Sequence, residues 1–123
     1  MKSNMARKHT VLICDDDDAF CLEVAHLLTD AGWEVIAEVG VTTAAIAVAQ
    51  SVHPEVVILD ANLPGLPGVE AIPAILEAGA AVVVCSAFGP GDGSALRAGA
   101  SAVVDKAERV ALPDVLASIF QPA

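Results

Sequence analysis

The chain has 123 residues, 55% of them hydrophobic but only 3% aromatic, and a formal net charge of −10. That length supports one domain with a core of its own, and no apolar stretch approaches the length of a membrane span. From His9 onward three basic residues stand against sixteen acidic ones. Phosphate contacts need clustered Lys and Arg, so this domain is not expected to touch nucleic acid directly, and no membrane association is expected.

In chain order, residues 1–8 read as a basic flexible leader carrying Lys2, Arg7 and Lys8, with no signal-peptide apolar segment before a small-residue cleavage site. The expected organisation is that leader, a folded domain over 9–121 and a tail at 122–123, in the cytoplasm. Strands are predicted at about 10–14, 34–39, 55–60, 81–86 and 101–105. Helices are predicted between and after them, at about 18–31, 43–52, 69–78, 92–98 and 113–120. Val56-Val57-Ile58-Leu59 and Ala81-Val82-Val83-Val84-Cys85 are continuous apolar runs rather than alternating ones, as suits strands covered on both faces of a parallel sheet. Five β-α units make an open, doubly wound α/β domain.

Local signals set the boundaries. Asp17 or Asp18 can cap the first helix and Gly32 follows its end; Thr42 or Thr43 can cap the second; Pro113-Asp114 opens the last. Pro73 falls about one turn into the third helix, which should start late or bend there. Phe88-Gly89-Pro90-Gly91-Asp92-Gly93-Ser94 is rich enough in Gly and Pro that the fourth helix must be short. The three cysteines, Cys14, Cys21 and Cys85, lack metal spacing, and Cys14 and Cys85 read as buried apolar residues. His9, His26 and His53 also lack metal spacing and read as surface or packing residues.

The polar residues at the strand ends carry the chemistry. In open α/β sheets, ligands bind outside the carboxyl ends of the strands. Asp15 and Asp16 follow the first strand, Asp60 ends the third, Ser86 the fourth, and Lys106 follows the fifth. Carboxylates brought together repel, and a hard divalent cation relieves that. Clustered carboxylates, a hydroxyl and an ammonium suit phosphoryl chemistry, with Mg²⁺ and the lysine neutralising phosphoryl oxygens and one carboxylate acting as nucleophile.

These motifs in this order (Asp15-Asp16, then Asp60-Ala61-Asn62-Leu63-Pro64-Gly65 with Gly68, then Ser86-Ala87, then Lys106) resemble the receiver domain of bacterial two-component response regulators over roughly residues 10–120. The resemblance implies the sheet order 2-1-3-4-5. It implies that Asp60 accepts a phosphoryl group from a sensor histidine kinase or phosphotransfer protein. It further implies that Asp16 ligates Mg²⁺, that Asp15 acts largely through water, and that Asp60 and the Asn62 carbonyl complete the metal set. Ser86 would be the switch hydroxyl and Lys106 the partner of the phosphoryl group. The result would be a signalling switch rather than an enzyme, catalysing only its own phosphorylation and dephosphorylation; a homodimer stays open. Two other readings are a receiver fragment of a DNA-binding transcriptional regulator and a haloacid-dehalogenase-like Mg²⁺-dependent phosphohydrolase. The latter needs a longer chain and its nucleophile after the first strand. A flavodoxin shares the topology, but no Ser/Thr/Gly-rich phosphate loop follows the first strand here.

Two departures from the family pattern concern output rather than chemistry. Val103 stands where an aromatic is usual, and the stretch from Ser86 to Lys106 is short. Phosphorylation is therefore expected to order the segment 87–99, with Phe88 as the only aromatic near the site.

Overall fold

The computed structural model describes residues 9–63, 66–87 and 91–120. Strands β1 (Thr10–Cys14), β2 (Glu34–Val39), β3 (Val56–Asp60), β4 (Ala81–Ser86) and β5 (Ala102–Asp105) form one parallel sheet in the order β2-β1-β3-β4-β5. Helices α1 (Asp18–Asp30), α2 (Thr42–Val52), α3 (Gly68–Glu77), α4 (Ser94–Ala98) and α5 (Leu112–Phe120) connect and follow them. A 3-10 helix, Lys106–Ala111, precedes α5.

Successive strand residues point to opposite faces, and that alternation sorts the core into two clusters. Val11, Ile13, Val56, Ile58, Val83 and Cys85 pack with α1 and α5 residues such as Val24, Leu28, Leu112 and Leu116. Leu12, Cys14, Val57, Leu59, Val82 and Val84 pack on the other side with Ala45, Ile72, Ile75 and Ala95 from α2, α3 and α4. Both faces of β3 are buried throughout, which is why its sequence is a continuous apolar run.

Several boundaries differ from the expectations, each for a physical reason. Neither Thr42 nor Thr43 caps α2: Val41 holds the N-cap position with no side-chain bond, and the buried Thr42 hydroxyl instead donates to the Leu66 carbonyl at 2.8 Å. Of the two alternatives for α3, the late start does not occur: the helix begins at Gly68, so Pro73 falls within it. Helix α5 begins at Leu112, and the 3-10 helix before it went unforeseen because six residues without apolar period carry no helical signal. The short fourth helix is as expected, five residues set between Gly93 (φ 86°) and Gly99 (φ 115°), both left-handed. Phe88, Gly89 and Pro90 lie outside the described residues, as do Pro64, Gly65 and the leader.

All three cysteines are buried. Burial, with nearby carboxylates, pushes the Cys14 thiol up to about 12 and Cys21 up to about 11; burial likewise pushes Cys85 up to about 12, against the lowering influence of Lys106. These are protonated packing groups at neutral pH. His9 is exposed: its Nδ1 lies 2.7 Å from Glu55 Oε1, and its ring packs against Trp33 and Phe120. His53 ends α2 in a left-handed conformation (φ 52°).

Candidate phosphoryl-transfer site

The register of the parallel sheet brings the strand-end residues together. Cys14 is level with Leu59, so the next residues, Asp15 and Asp60, lie side by side on β1 and β3. Asp60 is level with Cys85, and Ser86 with Asp105. One carboxylate oxygen each from Asp15, Asp16 and Asp60 lies within 4.8 Å of the others. Asp15 and Asp60 are buried and Asp16 is exposed, which leaves the cluster open to solvent on one side.

Each carboxylate is fixed differently. Asp15 Oδ1 accepts the Asp17 N–H at 2.9 Å, and its Oδ2 lies 2.6 Å from Lys106 Nζ. Asp60 Oδ1 accepts the Asn62 N–H at 3.0 Å, and its Oδ2 lies 3.4 Å from the same ammonium. Asp17 is not one of the clustered acids; it caps α1, accepting the N–H groups of Ala19 and Phe20. Burial pushes the Asp15 carboxyl above the ordinary aspartate value; the Lys106 bond and the Asp17 N–H pull it back, and Asp60 adds to the rise. Burial also opposes the charge on Lys106, but its bond to Asp15 and the charges of Asp60 and Asp15 hold its pKa above the usual lysine value. The two shifts are compatible because one ammonium is shared between two carboxylates. It stays charged, yet the site keeps an excess of negative charge. Hard oxygen donors in small number, with one solvent-open side, fit Mg²⁺, which retains waters and takes few carboxylates.

Asn62 and Ser86 were the other two residues expected at the site. Asn62 is exposed on the turn after β3, with its main chain tied to Asp60. Ser86 is buried at the end of β4.

Three features escaped the sequence reading. An aromatic other than Phe88, which lies outside the described residues, was missed: the buried Phe20 ring on α1 lies 4.6 Å below Lys106 Nζ, a cation-π distance. Its membership of the apolar face of α1 was legible, but its pairing with a lysine 86 positions later was not. Second, Arg109 reaches both Glu23 and the Lys106 carbonyl. Third, Gly68 lies against the end of β3: a Cβ there would sit 2.6 Å from the Asp60 main-chain oxygen. Backbone must move to admit it, at a cost of roughly 1–3 kcal/mol. Gly68→Ala should accordingly lower the thermal midpoint by several degrees and shift the Asp60 and Ala61 amide resonances. A midpoint equal to wild type would show that α3 can slide away freely.

The response regulator receiver domain family model matches residues 11–117. The chain belongs to that family.

Relatives of this receiver domain agree. The chemotaxis protein CheY of Thermotoga maritima is 29% identical over 115 residues, covering 92% of this chain and 88% of that protein. The transcriptional regulatory protein PdtaR of Mycobacterium tuberculosis is 31% identical over 83 residues, 67% of this chain but 40% of that protein. Among solved structures, the response regulator domain of Thermotoga maritima CheB superposes with a TM-score of 0.81 at 24% identity, over 94% of this chain and 96% of that one. A CheX-CheY-BeF3-Mg complex from Borrelia burgdorferi gives 0.80 at 22% identity, over 93% and 90%. Those two show the fold. Receiver domains are signalling switches of two-component systems, and no helix among the described residues is long and apolar enough to cross a membrane.

Proposed function

We propose that this receiver domain is a switch set by phosphorylation of Asp60, with a sensor histidine kinase or phosphotransfer protein as donor. The observation that carries the reading is the placement of Asp60. Its carboxylate lies beside two other acids and within 3.4 Å of Lys106, at the carboxyl edge of the sheet. The Asp60 carboxylate attacks phosphorus; the new O–P bond forms as the bond to the donor breaks, and the donor leaves with the bonding pair. Asn62 N–H holds Oδ1 and so fixes the rotamer in which Oδ2 faces Lys106. The ammonium then moves onto a phosphoryl oxygen of the new group, which carries roughly −2. Ser86, at the end of β4, is assigned the switch hydroxyl that turns toward that group.

Asp15, Asp16, Asp60 and the Asn62 carbonyl would hold Mg²⁺. When bound, Mg²⁺ neutralises charge on the carboxylates and the transferring phosphoryl oxygens. The likeness to CheY, over 88% of that protein, supports a domain that signals through its own surface to a partner. PdtaR, matched over 40% of its length, supports the second arrangement, a receiver controlling a transcriptional output.

The test of the reading is intact-mass spectrometry of the wild-type chain with Mg²⁺ and acetyl phosphate. One labile phosphoryl group is expected, and none when Mg²⁺ is chelated. An unchanged mass in both conditions would overturn it.

Asp15 gives a second prediction with a defined sign. Its folded pKa is raised, so folding favours its protonated form. Its contribution to stability is present on the acid side and is lost as pH rises through the folded pKa. Asp15→Asn should therefore raise the metal-free thermal midpoint at neutral pH, while weakening Mg²⁺ binding. A lower metal-free midpoint would mean that the bond to Lys106 outweighs burial.

A further inference from the structure

We propose that Arg109 is a positioning residue for Lys106: it clamps the start of the 3-10 helix to α1 and so holds the lysine within reach of Asp60. The proposal rests on Asp60 being phosphorylated with Lys106 as partner of the phosphoryl group. Lys106 opens a 3-10 helix whose third residue, Glu108, has non-helical angles (φ −110°, ψ 27°). Short 3-10 turns have poor hydrogen-bond geometry. Such a segment is a weak frame for a lysine whose ammonium must stay beside two buried carboxylates.

Side chains supply the frame. Arg109 Nη1 donates to the Lys106 carbonyl at 2.8 Å, and Arg109 Nε lies 2.8 Å from Glu23 Oε2. A planar guanidinium makes both contacts at once, which a lysine ammonium cannot do with the same geometry. Glu23 lies three residues after Phe20, so the two share a face of α1. Helix α1 therefore holds Lys106 at both ends, with the Phe20 ring under its ammonium and the Glu23–Arg109 pair at its carbonyl. These residues line one open cleft of about 310 Å³ between α1 and the 3-10 helix. Helix α1 starts at Asp18, two residues after Asp16, so the clamp joins the carboxylate end of the site to its lysine. The Arg109 and Glu23 side chains are 34% and 46% exposed. Ion pairs that open to water add little to stability, which leaves position, rather than folding, as what this one governs.

The test measures beryllofluoride affinity in Mg²⁺ by NMR titration, with the thermal midpoint of each protein alongside. The proteins are wild type, Arg109→Ala, Arg109→Lys, Lys106→Ala and the double variant Lys106→Ala with Arg109→Ala. Arg109→Ala should weaken beryllofluoride binding by about fivefold or more, and its Mg²⁺ affinity alone should match wild type. Arg109→Lys should not restore the loss. In the Lys106→Ala background, Arg109→Ala should add no further loss, because a double-mutant cycle isolates action through the partner residue. Wild-type affinity in Arg109→Ala, or an equal loss with and without Lys106, would overturn the proposal alone. A wild-type chain that binds no beryllofluoride and gains no phosphoryl group would overturn the phosphorylation reading and this proposal with it. If Arg109→Ala does not fold, Glu23→Ala frees Arg109 from α1 without altering the 3-10 helix and carries the same expectations.

Discussion

Asp60→Asn should stay at its unmodified mass under conditions in which the wild type gains one labile phosphoryl group. The substitution is nearly isosteric and keeps the Oδ1 acceptor for the Asn62 N–H, so the turn after β3 should hold. What it removes is the charged nucleophilic oxygen, and an amide does not replace it. The loss should be complete within detection, far beyond any effect of stability. It should also relieve repulsion among carboxylates that lie within 4.8 Å of one another, so the metal-free thermal midpoint should not fall. Asp15→Asn and Asp16→Asn, by contrast, should slow the reaction by weakening the cation site without moving the modified residue. Asp16→Asn should weaken Mg²⁺ binding more than Asp18→Asn, because Asp18 begins α1 outside the cluster. Full modification of Asp60→Asn would place the phosphoacceptor elsewhere.

Lys106→Ala should have the second largest effect, on the response rather than on the modified residue. The ammonium lies 2.6 Å from Asp15, 3.4 Å from Asp60 and 4.6 Å from the centre of the Phe20 ring. Removing it leaves two buried carboxylates without their cation, and hydrogen bonds to charged groups contribute roughly 1.5–3 kcal/mol. Beryllofluoride affinity should therefore drop by tenfold or more, and the amide shifts it induces should shrink. From the sequence this lysine read as a charge following the fifth strand and, by resemblance, as the partner of the phosphoryl group. Its contacts with Asp15 and Phe20 add a structural effect. The metal-free midpoint should fall by several degrees, and Mg²⁺ should recover part of that by neutralising the same carboxylates. An undiminished response to beryllofluoride in the folded variant would remove Lys106 from the switch.

The positions of Asp15, Asp16, Asp60, Ser86 and Lys106 were legible in the sequence because each follows an apolar run long enough to be a strand. Parallel strands all present their carboxyl ends at one edge, so four local patterns, those of β1, β3, β4 and β5, suffice to place five side chains along it. The short α4 was legible for a similarly local reason, the Gly- and Pro-rich run from 88 to 94; in the structure left-handed Gly93 and Gly99 bound it. The sheet order came from likeness to a family rather than from any property of the strands themselves. Tertiary structure alone decided the rest. Thr42 looked like a cap, but its hydroxyl found the Leu66 carbonyl across the α2–α3 side of the sheet. Gly68 entered only as part of a family motif, and what requires glycine there is the Asp60 carbonyl, where a Cβ would lie 2.6 Å away. Phe20, Glu23 and Arg109 surround Lys106 because α1 and the 3-10 helix pack side by side on one face of the sheet. Periodicity and capping report what a residue does within its own helix or strand. Contacts between side chains dozens of positions apart depend on register and packing, which no local pattern encodes.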